Sequence, residues 1–284
     1  MSKEGYFLGR KAVIATMHGK ERVIAPFVEN ILGIQTVLPP AAFNSDVFGT
    51  FTGEVKRQGT QLEAARKKAQ AAMDLTGCDL AISSEGSFGP DPAMPFLQSN
   101  LELVLFVDRK NQFEVKGHYR TSAAYMGIHS AHTLEEALVL AKKMAFPTHG
   151  LIVRTSQNGG AIHKDLQTVK ALKEALAKLF DGQFTQVFLE TDLRAHRNPT
   201  RMEAIKHATE DLIKNIASRC PSCNCPGFVV SHLQKGLKCA ACGTPTELPI
   251  HQVYSCSKCD YSETRPCTKH SATADPKYCD YCNP

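Results

Sequence analysis

Residues 220–242 read CPSCNCPGFVVSHLQKGLKCAAC, and residues 256–282 read CSKCDYSETRPCTKHSATADPKYCDYC. Four Cys-x-x-Cys pairs stand out: Cys220/Cys223, Cys239/Cys242, Cys256/Cys259 and Cys279/Cys282. Such a turn presents two sulfurs from one tight knuckle, and two knuckles complete the tetrahedral set of four that zinc takes. Fifteen residues separate Cys223 from Cys239 and nineteen separate Cys259 from Cys279, gaps that suit a zinc-ribbon hairpin. Sequential pairing, first with second and third with fourth, is the expected connectivity; an interleaved, cross-braced arrangement fits the same spacing. Cys225, Cys267, His232, His251 and His270 stand outside the pairs. A site closed by four protein sulfurs has no open position, so its expected role is structural.

Ten of the eleven cysteines fall in the last 65 residues. The first ten residues carry Lys3, Glu4 and Arg10 and lack the apolar core of a signal peptide. No stretch approaches the roughly 18 apolar residues of a membrane span. A cytoplasmic, reducing location is therefore expected, and there metal-held thiolates are favoured over disulfides. The net charge of +5 is spread along the chain, which welcomes anionic ligands but lacks the dense basic stripe of a dedicated nucleic-acid binder. In the tail, Lys235, Lys238, Arg265 and Lys269 are offset by Glu247, Asp260, Glu263 and Asp275. That balance points to a protein-facing or intramolecular role ahead of an RNA-binding one.

Upstream, strand-like and helix-like segments alternate. Residues 11–16 form a β-rich run, and 21–32 carry two apolar rows at helical spacing, Val23/Phe27/Ile31 and Ile24/Val28/Leu32. Pro26 is read as lying near the first turn, where proline is tolerated. A strand over 35–38, a loop over 44–59 and a helix over 60–75 follow, the helix opened by a Thr60/Glu63 capping box. Residues 79–83 read as a buried strand that ends in the turn-rich 84–90. Residues 101–108 and 112–119 read as a hairpin. Then come a helix over 134–145, a strand over 150–154, a helix over 165–180, a strand over 185–190, a basic loop over 192–199 and a helix over 200–218. The pattern predicts an α/β fold, a mixed twisted sheet flanked by helices, followed by a small double zinc-ribbon-like module. The expected domains are 1–218 and 219–284.

Four segments of the α/β domain gather groups that chemistry on an anionic substrate needs. Thr16, His18 and Lys20 follow the first strand and open a helix, where backbone N–H groups favour phosphate. Glu63 and Lys68 lie on the helix that begins at Thr60. Glu85, at the carboxyl end of a buried strand, is a candidate magnesium ligand or general base, with Asp91 and Asp108 able to share the task. Arg194, His196, Arg197 and Arg201 follow the last strand, and arginine forks bind phosphate in bidentate fashion.

The order of these segments resembles the inosine/xanthosine triphosphate pyrophosphatase superfamily, whose members split non-standard nucleoside triphosphates into monophosphate and pyrophosphate. The Thr16-Met17-His18-Gly19-Lys20 turn resembles that family's phosphate turn, with His18 in place of asparagine and the lysine one residue early. Thr60, Glu63, Ala65, Lys68 and Ala69 match its next helix in register, with Ala64 where asparagine is usual. Glu85-Gly86, Ala195-His196-Arg197 and Thr200-Arg201 echo later motifs. The resemblance implies Mg²⁺ or Mn²⁺, with Glu63 and Glu85 near the metal and Lys20 and Lys68 on phosphates. The whole chain, zinc module included, also resembles an uncharacterised bacterial family.

These readings converge on a cytoplasmic protein with two structural zinc ions. Its α/β domain is expected to bind, and to hydrolyse with a metal, a nucleotide-like phosphorylated substrate. The alternative is a non-catalytic zinc-ribbon protein that docks a protein or RNA partner. A third reading has the zinc module only brace the α/β domain.

Overall fold

The computed structural model describes residues 6–49, 55, 57–123, 126–157, 159, 162–182, 184–267 and 272–284. The chain divides into two compact units, Met1–Lys110 with Lys116–Ile213, and Asn111–Val115 with Lys214–Pro284. Along it run β1 (Lys11–Ala15), α1 (Glu21–Leu32), β2 (Gln35–Val37), α2 (Gln61–Thr76), β3 (Leu80–Pro90), β4 (Gln98–Asp108) and β5 (Phe113–Ser122). They are followed by β6 (Ile128–Ala131), α3 (Leu134–Lys143), β7 (Leu151–Arg154), α4 (Val169–Asp181), β8 (Val187–Thr191) and α5 (Pro199–Ala217). No helix among the described residues is long and apolar enough to cross a membrane.

In the first unit the principal sheet has the order β2-β1-β3-β4-β5. β1 pairs in parallel with β2 and β3, while β3 and β4 are antiparallel, so the sheet is mixed. Most of β1 and β4 and the first seven residues of β3 are buried on both faces, whereas β2 is only partly buried and the far half of β5 is largely exposed. α2 covers one face. Ala65, Ala69, Ala72 and Met73 of that helix pack on Val13, Ala15, Ala81, Leu103 and Leu105. The three alanines let the helix backbone approach the sheet closely. The helix starts as its sequence predicts, with Thr60 and Glu63 capping each other reciprocally.

Two features depart from the sequence reading. Pro26 lies inside α1, beyond its first turn, and the helix continues past it to Leu32. More consequentially, β3 does not end at Ser83. It runs through Ser84, Glu85, Gly86 and Gly89 to Pro90, matched residue for residue by Gln98 to Asp108 of β4. The glycines and proline that suggest a turn are accommodated because β4 supplies a partner along the whole length. A second sheet, β6-β8-β7, is antiparallel throughout. α3 and α4 cover it through Ala137, Ala141, Leu172 and Leu176.

The second unit carries a three-stranded antiparallel sheet, β9 (Val229–Lys235), β10 (Pro249–Ser255) and β11 (Ser262–Pro266), with β10 in the middle. Its strands have almost no buried positions. Among the described residues of 214–284, Phe228, Leu237, Ala274 and several cysteines account for much of what is buried. So small an apolar core does not hold a unit of this size together, and a metal or another cross-link is needed.

Gly117 of β5 gives a direct test of packing in the first unit. A Cβ there would overlap the α5 backbone at Ala208 and Leu212. Gly117→Ala is expected to cost about 3 kcal/mol or more, read as a fall in the urea midpoint. An unchanged midpoint would show that strand and helix are not in this contact.

Candidate functional site

Each cysteine knuckle is built by the backbone before any metal is considered. The N–H groups of Cys220, Cys239 and Cys256 donate to the carbonyls of Cys225, Thr244 and Tyr261, each five residues on. Those of Asn224, Gly243 and Asn283 donate back to Cys220, Cys239 and Cys279. Asn224 and Gly243 take the left-handed conformation this tight turn requires, at φ 60 and 72. Cys225 therefore occupies the closing position of a knuckle, equivalent to Thr244 and Tyr261. Its thiol belongs to neither cluster, and nor does that of Cys267. His232 and His251 also lie outside the clusters, and His270 falls outside the described residues.

The knuckles assemble into two groups of four sulfurs, Cys220/Cys223/Cys256/Cys259 and Cys239/Cys242/Cys279/Cys282. The first knuckle thus joins the third and the second joins the fourth. The expectation of sequential pairing is overturned: the module is cross-braced. The spacing did not decide this because β9, β10 and β11 lie between the knuckles and carry the third one back beside the first. Across the clusters, Cys220 and Cys259 Sγ are 3.7 Å apart, Cys223 and Cys256 3.6 Å, Cys239 and Cys282 3.9 Å, and Cys242 and Cys279 3.6 Å. A disulfide needs about 2.05 Å. Sulfurs about 2.3 Å from a tetrahedral zinc ion stand about 3.8 Å from one another. The donor set and its dimensions fit zinc.

In the first unit, β3 and β4 gather five charged side chains. Residues paired across an antiparallel ladder share a face, and neighbours along a strand alternate. Glu85 pairs with Leu103 on the side of α2, where Ser83 Oγ also donates to the Ala65 carbonyl. There Glu85 forms a buried ion pair with Lys68. Lys68 stands among Ala64, Ala65, Ala69 and Ala72 on the buried stripe of α2, not on a solvated face.

The opposite face carries Ser84, Gly86 and Glu102. Lys20 Nζ donates to the Ser84 carbonyl at 3.2 Å and to its hydroxyl at 3.0 Å. Arg201 Nε donates to Glu102 Oε1 at 2.7 Å, and Arg201 Nη1 to the Leu193 carbonyl at 2.5 Å. Glu102 Oε2 and Asn100 Oδ1 are buried with no hydrogen-bond partner among the described residues. Burial, then the charges of Arg201 and Lys68, pull Lys20 down to about 7.

The remaining predicted residues are placed around this centre or away from it. Thr16 Oγ1 accepts the His18 N–H at 3.2 Å. The rings of His18 and His196 stack with centroids 5.1 Å apart, and His18 Nε2 lies 3.2 Å from Asp46 Oδ1. Burial lowers the pKa of both imidazoles, aided at His196 by Arg194 and Arg197. Arg194 and Arg197 turn their forks onto Asp165, and Arg194 also onto Asp192. Desolvation raises Asp165, but these two arginines outweigh it and hold the carboxyl below its ordinary value. Glu63 is exposed, its carboxylate accepting the Thr60 N–H at 2.7 Å. Asp108 binds Arg10, and Asp91 caps a turn at Ala93. Lys20, Arg201 and Glu102 thus lie on one face of the ladder and Lys68 and Glu85 on the other, near enough for the charges of the other four to act on Lys20. Glu102 carries a sequence signal that went unread, a carboxylate inside the apolar run LELVLFVD.

The chain belongs to the family described as Domain of unknown function (DUF6671), whose sequence pattern matches residues 68–284. That span takes in the Cys-rich region, Lys68, Glu85, Glu102 and Arg201, and leaves Lys20 outside. No curated protein matches the chain.

The cross-brace sets metal stoichiometry. Cys223→Ser and Cys256→Ser should each lose about one metal equivalent of two, and the double variant should lose no more, because one site is affected. Cys223→Ser combined with Cys242→Ser should lose both. Elemental analysis of purified protein reads the difference, and the opposite pattern would restore sequential pairing.

Proposed function

We propose that the α/β unit binds a nucleotide-like phosphorylated ligand at the Lys20–Lys68–Arg201 cluster, and that the Cys-rich module holds two structural zinc ions. What carries the first part is charge in a buried place. Among the described residues of the cluster, three cations face two carboxylates, so the set carries a net positive charge when Lys20 is protonated. Buried charge is costly unless it is paired, and an anion is the partner that completes the set. All five residues are 6% exposed or less.

Phosphoanhydride hydrolysis is the reaction this arrangement would serve, in keeping with the resemblance to the inosine/xanthosine triphosphate pyrophosphatases. Lysines and an arginine would offset the phosphate charge, and Glu85 would orient the attacking water. Magnesium reaches many such sites through one or two carboxylates plus the substrate's own phosphates. Glu85 and Glu102 could offer those carboxylates, although each already faces a cation. Among the described residues they belong to no larger metal-sharing group, so the ion would arrive with the phosphates. Glu63 enters this reading only through the helix cap it makes.

For the module, four sulfurs per site leave zinc no open position, which supports a structural role. A non-catalytic reading, with the module docking a protein or RNA partner, draws on its solvent-facing sheet, where Arg265 lies over the Tyr254 ring at 4.2 Å.

Two measurements test the proposal. Sulfate keeps a constant charge across neutral pH, so its binding isolates the lysine. An anion favours protonated Lys20, whose pKa lies near 7 in the free protein. Affinity should therefore be full at pH 6 and fall about tenfold or more by pH 9, with the fall abolished in Lys20→Met. Sulfate binding that ignores both pH and the substitution would remove Lys20 from the site. Pyrophosphate release from standard and deaminated nucleoside triphosphates with Mg²⁺ or Mn²⁺ is expected to be selective and lost in Glu85→Gln. Absence of turnover with sulfate binding intact would leave a binding protein.

A further inference from the structure

Beside the charged cluster, a pocket is lined by Phe88, Asn100, Met126, Leu193 and Arg201, together with His149 and Thr200. His149 Nε2 lies 2.8 Å from Thr200 Oγ1. The two groups differ in their surroundings. The imidazole is buried, at 5% exposure, whereas Thr200 is exposed at the opening of α5. Burial lowers the His149 pKa, so the ring is a neutral base at pH 7. Its position is fixed from both sides. The His149 N–H donates to the Ala145 carbonyl, and the next residue, Gly150, donates to the Arg197 carbonyl at 2.7 Å. Asn198 Oδ1 accepts the Arg201 N–H at 2.9 Å and so caps the helix on which Thr200 stands.

We propose that Thr200 is a hydroxyl nucleophile for phosphoryl transfer and that His149 is its general base. A nucleophile and a base within hydrogen-bond reach, at a helix N-terminus and beside an arginine, make the arrangement that activates a hydroxyl toward an anionic centre. As Thr200 Oγ1 attacks phosphorus, the Oγ1–P bond forms and the bond from phosphorus to the leaving oxygen breaks. The hydroxyl proton passes to His149 Nε2 and from there to the leaving group. A water molecule then gives its proton to His149, attacks the phosphothreonine, and releases Thr200 with that proton returned. The substrate class is a phosphoric ester or anhydride whose charge Arg201 can meet. This inference goes beyond the anion-binding site, sharing Arg201 with it and making no use of Lys20.

A fluorophosphonate probe tests it, since Thr200 Oγ1 would displace fluoride by the same route. Mass spectrometry of the labelled full-length protein is expected to find the adduct on Thr200, absent in Thr200→Val and retained in Thr200→Ser. Labelling should fall at least tenfold in His149→Gly and return on addition of imidazole, a rescue that a merely positioning histidine would not allow. His149→Gln serves as a folded control if the glycine variant is unstable, and it should label as slowly. No adduct on Thr200 in the folded wild type, labelling indifferent to His149, or a loss that imidazole does not restore would each overturn the proposal. Sulfate binding measured on the same samples separates the two sites. Labelled Thr200 without sulfate binding defeats only the anion-binding reading, and sulfate binding without labelling defeats only this one.

Discussion

The long antiparallel ladder between β3 and β4 governs the α/β unit. It matches Leu80 with Asp108 at one end and Pro90 with Gln98 at the other without a bulge. Its pleat assigns every charged side chain to a face. Ser83 and Glu85 go toward α2, and Ser84 and Glu102 go the other way. A slip of one residue would leave Glu102 where Leu103 now packs on Ala65 and would take the carboxylate from Arg201. Register is strongly specified when both faces are buried, and here charge adds to the apolar pattern in fixing it. Lys68 and Arg201 are drawn into the interior by the carboxylates the ladder presents.

The Cys-rich unit follows a different logic. Its sheet buries little, and its knuckles fix local turns through backbone hydrogen bonds alone. The β9–β10 ladder brings the third knuckle beside the first, backbone hydrogen bonds of Ala274 tie its segment to the second knuckle, and the sulfur clusters close both contacts. Sequence positions 36 and 40 residues apart, Cys220 with Cys256 and Cys239 with Cys279, are held together there. A metal held by these thiolates would supply the energy that closes such loops in place of an apolar interior.

Much of this was legible in the sequence where the determinant is local. The boundaries of α1, the Thr60–Glu63 cap and the eight knuckle cysteines depend on residues a few positions apart, and each was readable. The continuation of β3 was not, since residues 84–90 are turn-like on their own and become a strand only because β4 lies alongside. For the same reason Glu85 read as a loop residue, although it is a buried one paired with Lys68. Arg194 and Arg197 read as phosphate forks, yet Asp165, some thirty residues upstream, receives both. Sequential pairing was the wrong expectation because spacing constrains neighbours only, and the partner of each knuckle is not its neighbour.

Cross-bracing also has a consequence in time. During synthesis the chain emerges from its amino end, and the first knuckle, Cys220/Cys223, has no partner until Cys256 and Cys259 appear. The second knuckle is already exposed by then and still waits for Cys279 and Cys282. Between the emergence of Cys242 and that of Cys256, two half-filled thiol sites coexist, each able to take a sulfur from the wrong neighbour. A nascent chain halted before Cys256 contains no finished cluster at all, whereas a sequential design would have completed one by Cys242. The first cluster can therefore close only at Cys259 and the second only at Cys282, which makes the last knuckle the latch for a site whose other half has waited since Cys242.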